Sequence, residues 1–331
     1  ASVPRWLPPK TGRFGAANIN YGVQPQTEPH LDKPLPYRTT YSDVLAWLLL
    51  SGRATRGAPM RYLEIGVSVG KNLRQLLGSA AAFGASDGTV LVGLDLEPFN
   101  PLLLSEYPVR ARHAAWETPQ QTDEGQQLSY KLDVLSTIEE HGVAGAGAEA
   151  ARQRPPPRLF YCSADLKVAK TWESLEATLQ NELRGGAPDA ALEGVPMELR
   201  GAAGSEVGAD GLFDLVFSDA WHSAAAVWWE LRQLLERRLL SSTAVIVWDD
   251  LNSRDMQAGF GTLCATLMEH HPAARAGRHV ECLLSAIAPG WVVSNSSDLI
   301  GIVGPADVLQ RAALDLVLPT RLTLADFGFA L

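Results

Sequence analysis

From Arg61 onward the chain alternates short apolar runs with amphipathic stretches. The runs Tyr62–Ile65, Val90–Leu94, Leu159–Ser163, Phe213–Ser218 and Ala244–Trp248 have the length of buried strands. The stretches Lys71–Ala82, Ala169–Leu183 and Ala224–Arg238 repeat their apolar residues at helical spacing, the last through Val227, Leu231, Leu234 and Leu235. Repeated strand–helix units require a mostly parallel sheet with helices on both faces. Upstream, Tyr41–Ser51 reads as a short helix with Ser42 as its cap. Downstream come a helix near Met256–His270 and strands around Cys282–Ala288 and Leu299–Val303, expected as an antiparallel hairpin closing the sheet edge.

Two stretches break this rhythm. Residues 98–157, with a helix-like run near Leu128–Ile138, and the Gly- and Ala-rich residues 185–211 are expected to be insertions over the active-site face. Residues 1–40 carry Pro4, Pro8, Pro9, Pro25, Pro29, Pro34 and Pro36, which fix φ and remove amide donors. They predict an extended arm that wraps the domain or packs on a partner, a second copy in a homo-oligomer included. The organisation is therefore an arm, 1–40, and one domain, 41–331.

The first strand runs through Glu64-Ile65-Gly66-Val67-Ser68-Val69-Gly70 into Lys71-Asn72 and a helix. A glycine turn at this place lets a ligand approach the backbone, because no β-carbon intervenes. A phosphate-binding loop needs four residues between Gly and Gly-Lys followed by Ser or Thr, whereas three separate Gly66 from Gly70 and Asn72 follows Lys71. A dinucleotide fingerprint needs glycines where Ser68 and Lys71 stand. The pattern Glu-x-Gly-x-Ser-x-Gly resembles the first motif of class I S-adenosylmethionine-dependent methyltransferases. That resemblance implies an α/β, Rossmann-like, doubly wound and mostly parallel seven-stranded sheet with an antiparallel edge strand. It assigns Glu64, Gly66, Ser68 and Gly70 to the cofactor turn, Asp95 to the ribose hydroxyls and Asp165 to the neighbourhood of the adenine amino group.

Two later strands also end in acid: Ser218-Asp219-Ala220-Trp221-His222 and Trp248-Asp249-Asp250-Leu251-Asn252. One right-handed crossover through the intervening helix brings both ends to the same edge of the sheet, the edge where open α/β sheets bind ligands. Three carboxylates gathered there repel one another unless protonated, solvated or bridged by a cation. Oxygen ligands favour a hard ion, Mg²⁺ first. The arrangement resembles metal-dependent O-methyltransferases of the catechol and sugar-modifying types, which implies Asp219, Asp249 and Asp250 as metal ligands. The same resemblance makes His222, with Asp219, catalytic, His222 being the general base for a small-molecule hydroxyl such as that of a sugar. Alternatively, Asp249 or Asp250, with Asn252 and Ser253, caps the following helix. A catalytically inactive structural subunit and a metal-independent N-methyltransferase are the rival functions.

Charge narrows the partners. With 28 basic and 37 acidic residues the net charge is −9, and no Lys/Arg run forms a docking patch for nucleic acid. No apolar stretch reaches the roughly 20 residues of a membrane span. The chain opens at Ala1, which is compatible with removal of an export or organelle leader, so the compartment stays open. Cys162, Cys264 and Cys282 match no metal spacing and read as small core residues. Trp116, Trp172, Trp221, Trp228 and Trp229 include candidates for a stacking wall, most being expected in the core.

Overall fold

The apolar runs become strands buried on both faces, as a sheet covered by helices on two sides requires. In the computed structural model, the described residues are 41–56, 59–67, 72–73, 76, 88–96, 109–113, 120–121, 127–128, 131–137, 158–183, 211–287, 298–309 and 320–322. The strands are β1 (Arg61–Ile65), β2 (Val90–Asp95), β3 (Val109–His113), β4 (Gln120–Gln121), β5 (Gln127–Leu128), β6 (Lys131–Thr137), β7 (Arg158–Ser163), β8 (Phe213–Ser218), β9 (Leu240–Trp248), β10 (Val280–Ile287), β11 (Asp298–Pro305) and β12 (Thr320–Leu322). The helices are α1 (Tyr41–Arg56), α2 (Ala169–Leu183), α3 (Ala224–Glu236), α4 (Arg254–His270), α5 (Pro272–Arg275) and α6 (Ala306–Leu309).

The main sheet has the order β12-β10-β11-β9-β8-β1-β2-β7-β6-β3, and β4 pairs separately with β5. Its middle seven strands, β10 to β7 in that order, form the doubly wound α/β sheet expected from the sequence. Strands β9, β8, β1, β2 and β7 are mutually parallel. Because β1 pairs with β2 on one side and β8 on the other, the chain reverses its direction of travel across the sheet at β1, which makes the carboxyl end of β1 the topological switch point.

Alternation along each strand sorts side chains into two layers. Leu63, Ile65, Val92, Val216, Ile246 and Trp248 pack with residues of α2, α3 and α4, such as Trp172, Leu231 and Phe260. Tyr62, Leu91, Leu215, Phe217, Val245 and Val247 pack with Tyr41 and Val44 to Leu50 of α1 and Leu309 of α6. Tyr41 stacks on Phe217 at 5.0 Å.

Several expectations shift. The helix-like run near Leu128–Ile138 is the strand β6, which pairs antiparallel with β7. Lys131-Leu132-Asp133-Val134 alternates polar with apolar residues there, a short period-two pattern that the open side of β7 captures. The antiparallel pair β10–β11 forms, but β11 enters the sheet between β9 and β10, and β12 lies outside β10. Ser241-Ser242-Thr243, ahead of the expected strand Ala244–Trp248, lie inside β9, and the turn is made at Arg237 and Arg238, the latter at φ 52°. Helix α1 is already under way at Tyr41, so Ser42 is inside it. Of Lys71–Ala82 only Asn72, Leu73 and Leu76 are described, all helical. Residues 1–40, Trp116 and nearly all of 185–211 lie outside the described residues. Among the described residues no helix is long and apolar enough to cross a membrane.

Buried His271 joins α4 to α5. Its Nδ1 accepts the Ala273 N–H at 3.0 Å, so the ring hydrogen resides on Nε2, 3.1 Å from the Ala244 carbonyl. Burial pushes the imidazole down to about 4. That is below its ordinary value of about 6.5, so on acidification the unfolded chain takes up the proton first; stabilisation present above about 6.5 is lost as pH falls towards the folded value, about 3 kcal/mol in full. Urea denaturation between pH 7 and pH 4 should show this slope, and His271→Asn should flatten it.

Candidate active site

The backbone ladder continues past the ends of the parallel strands and so fixes the residues that follow them. Gly66 N donates to Leu94 O at 2.9 Å, Asp219 N to Ile65 O at 2.8 Å, Asp249 N to Ser218 O at 3.1 Å and Ala164 N to Asp95 O at 2.7 Å. One row thus holds Gly66, Asp95, Asp219 and Asp249 along the switch-point edge.

On the β1–β2 side, Asp95 is half-buried and its Oδ2 accepts the Val67 N–H at 2.6 Å, closing the glycine turn against the end of β2. Gly66 has φ +86° and passes so close to the next loop that a β-carbon would stand 2.5 Å from the Asp219 carbonyl oxygen. Glu64 points away from this edge into the second core layer. It is 2% exposed, and its Oε2 accepts hydrogen bonds from Tyr62 Oη at 2.9 Å and Asn72 Nδ2 at 3.0 Å. Burial raises its carboxyl well above the usual range, with Asp219 and Asp95 adding to the rise and the two hydrogen bonds opposing it. Ser68 and Gly70 lie outside the described residues. Asp165, after β7, uses Oδ1 to accept the Lys167 N–H at 2.9 Å and its carbonyl to accept from Thr171 Oγ1 at 2.7 Å, shaping the turn into α2.

On the β8–β9 side the structure brings together Asp219, His222 and Asp250. One ligand-type atom from each lies within 4.8 Å of the others. His222 Nδ1 is 2.6 Å from Asp250 Oδ2, both side chains being partly exposed. Asp250 sits at φ 57°, in the left-handed region that a non-glycine residue enters at a cost, as is common where a side chain must be aimed. Asp249 is 6% exposed and is not in this trio. Capping does not account for these residues: Ser253 Oγ caps α4 by accepting the Met256 N–H, and Ser223 Oγ caps α3 by accepting the Ala226 N–H. Two carboxylates and an imidazole suit a divalent ion such as Mn²⁺ at least as well as Mg²⁺, since the nitrogen donor softens the set.

Beside His222 opens a cavity of about 560 Å³ lined by Lys167, Trp221, Ser223, Ala225, Ala226 and Trp229. Lys167 Nζ lies 4.2 Å from the centre of the Trp221 ring, and Trp229 Nε1 donates to Leu166 O at 2.8 Å, so the Asp165 turn and the Trp221 loop form one wall. Trp172 is buried in the core, whereas Trp228 is exposed.

No protein-family profile matches the chain. No curated protein does either. Among solved structures, the O-methyltransferase TomG from Streptomyces achromogenes, solved with S-adenosylmethionine, is 14% identical over 83% of each chain with a TM-score of 0.36. The O-methyltransferase from Bacillus cereus, solved with S-adenosylhomocysteine, is 15% identical over 83% of this chain and 84% of that one, at 0.31. The methyltransferase PaMTH1 from Podospora anserina is 13% identical over 79% and 77%, at 0.33. Superpositions this loose carry no functional weight; the chain's own strand ends do.

One residue of the region lay hidden in the sequence. Glu230 sits within the apolar stripe of α3, among buried Ala226, Val227, Leu231 and Leu234, and bonds to Ser218 at the end of β8. The signal was there: a carboxylate at a position that helical spacing sends into the core.

Gly66→Ala should test the contact between the two halves of the edge. The left-handed backbone and the clash with Asp219 O together should cost at least about 2 kcal/mol of unfolding free energy in chemical denaturation.

Proposed function

We propose that the chain transfers the methyl group of S-adenosylmethionine to a hydroxyl oxygen of a small molecule, a sugar being one such acceptor. The observation that carries this reading is the adjacency, on one switch-point edge, of a glycine turn bound by Asp95 and a histidine–carboxylate group on the next two strand ends. S-adenosylmethionine would be held at its methionine end by Gly66 and Val67, with Glu64, Ser68 and Gly70 of the same motif assigned to that end, at its ribose hydroxyls by Asp95 and at its adenine by Asp165.

The chemistry is in-line attack of oxygen on the sulfonium methyl, and holding the two reactants in line supplies much of the rate. An alcohol is a poor nucleophile, so its proton must leave as the bond forms. Asp250 holds His222 Nδ1, which fixes the tautomer and makes Nε2 the basic nitrogen. Asp219 lies on the same edge and stabilises the imidazolium that results. A divalent ion held by Asp219 and Asp250, with Asp249 behind them or His222 beside them, would lower the pKa of a hydroxyl bound to it. Imidazole bound to an ion cannot also accept the proton. The His222–Asp250 pair, complete from protein atoms alone, favours a second reading in which methyl transfer needs no metal.

Three measurements separate these statements. Calorimetry should show S-adenosylmethionine binding that Asp95→Ala weakens about tenfold to a hundredfold, the loss expected for hydrogen bonds to a charged acceptor. No binding by the intact chain would overturn the methyltransferase reading. His222→Ala should lower turnover by about 10² to 10⁴ with cofactor affinity little changed. Turnover abolished by a chelator and restored by Mg²⁺ or Mn²⁺ would establish the metal; full turnover in chelator would leave the His222–Asp250 pair as the complete base.

A further inference from the structure

Glu230 is a buried acid beside the candidate site that the proposed chemistry leaves unused. It is 1% exposed. Ser218 Oγ donates to its Oε2, while Oε1 is buried with no hydrogen-bond partner among the described residues. Ser218 is the last residue of β8, and Asp219 follows it. Trp248, the register partner of Ser218 on β9, precedes Asp249 and Asp250, and its Nε1 is likewise buried without a partner among the described residues. As register partners on parallel strands, Ser218 and Trp248 leave the same face of the sheet, the one that α3 and α4 cover.

We propose that Glu230 is a positioning residue that acts through Ser218 to fix the loop carrying Asp219 and His222. The loop from Asp219 to His222 spans the gap between the end of β8 and the Ser223 cap of α3. Glu230 lies two turns into that helix and bonds back to the strand end, so strand, loop and helix close into a ring. Without the bond, α3 would rest on β8 through apolar packing such as that of Val227 and Leu231 with Val216, which tolerates small slides that would carry His222 away from Asp250. An apolar side chain would fill this stripe at lower desolvation cost, so the carboxyl contributes placement rather than burial. Burial pushes it up to about 8, with Asp219 raising it and the Ser218 bond and His222 lowering it. Gln keeps an oxygen that can accept the Ser218 hydroxyl and so can take its place in the bond.

The inference takes its catalytic consequence from the methyl-transfer reading, but its geometry stands without it. The test is a double-mutant cycle on the full chain with Glu230→Leu, Ser218→Ala and their combination, with Glu230→Gln as the conservative variant. It is read on turnover and on the ring NMR signals of His222, which need no substrate. Glu230→Leu and Ser218→Ala should each lower kcat about tenfold with KM for S-adenosylmethionine within about twofold, and the double variant should lose no more than either single one. Glu230→Gln should restore kcat to within about threefold of the original. The His222 ring signals should move in the first two variants and return in the third. Losses that multiply, or ring signals unmoved in every variant, would overturn the proposal. If the original chain shows no methyl transfer, that reading fails and the ring signals alone decide the role of Glu230. Should Glu230→Leu not fold, Ser218→Ala and Glu230→Gln decide it in the same way.

Discussion

Asp219 gives its backbone N–H to the Ile65 carbonyl, and the residue after Ile65 has no side chain to hold the two loops apart. This contact between the ends of β1 and β8 is the constraint on which the edge depends. The sheet changes direction at β1, so the loops on its two sides belong to different halves of the chain. A β-carbon on Gly66 would separate them. Without it, the Asp95–Val67 bond on one side and the Asp219–His222–Asp250 group on the other become neighbours. A reaction between two bound molecules needs such adjacency, because alignment of the reacting atoms is where much of the barrier is removed.

The same edge is braced from beneath on both faces of the sheet by buried acids. Glu64 belongs to the α1 layer and is held by Tyr62 and Asn72. Glu230 belongs to the α3 layer and is held by Ser218. Both carboxyls are driven up by desolvation and further by Asp219. A charged carboxylate in either place would add to the repulsion among the acids above it. The rise opposes ionisation beneath the edge, whereas the partly exposed Asp219 and Asp250 face a side where a cation or His222 can meet their charge.

Periodicity carried the sheet. Continuous apolar runs such as Phe213–Ser218 can be satisfied only by burial on both faces, and the stripes of α2, α3 and α4 supply the covering, so a mostly parallel sheet with helices on both faces was legible in the sequence. The gathering of Asp219, Asp249 and Asp250 at one edge followed from the same logic, since parallel strands end together. Run Leu128–Ile138 was misread because helix and strand patterns overlap in a short apolar segment, and the open side of β7 settled the choice. Likewise nothing local says that β11 should enter between β9 and β10; that depends on which sheet edge is free when the strand arrives.

Residue types and spacing determined which groups reach the carboxyl edge, because strand direction and helix crossover are set by local pattern. Which of them touch was decided by tertiary structure. Asp250, twisted into the left-handed region, pairs with His222, while its neighbour Asp249 is turned into the protein. Of the residues suited to cap α4, Ser253 takes the cap and the acids do not. Glu230 reaches Ser218 twelve residues back along the chain. Each outcome turns on the angle at which a helix meets a strand, a quantity set by the packing of the whole layer and present in no single stretch of sequence.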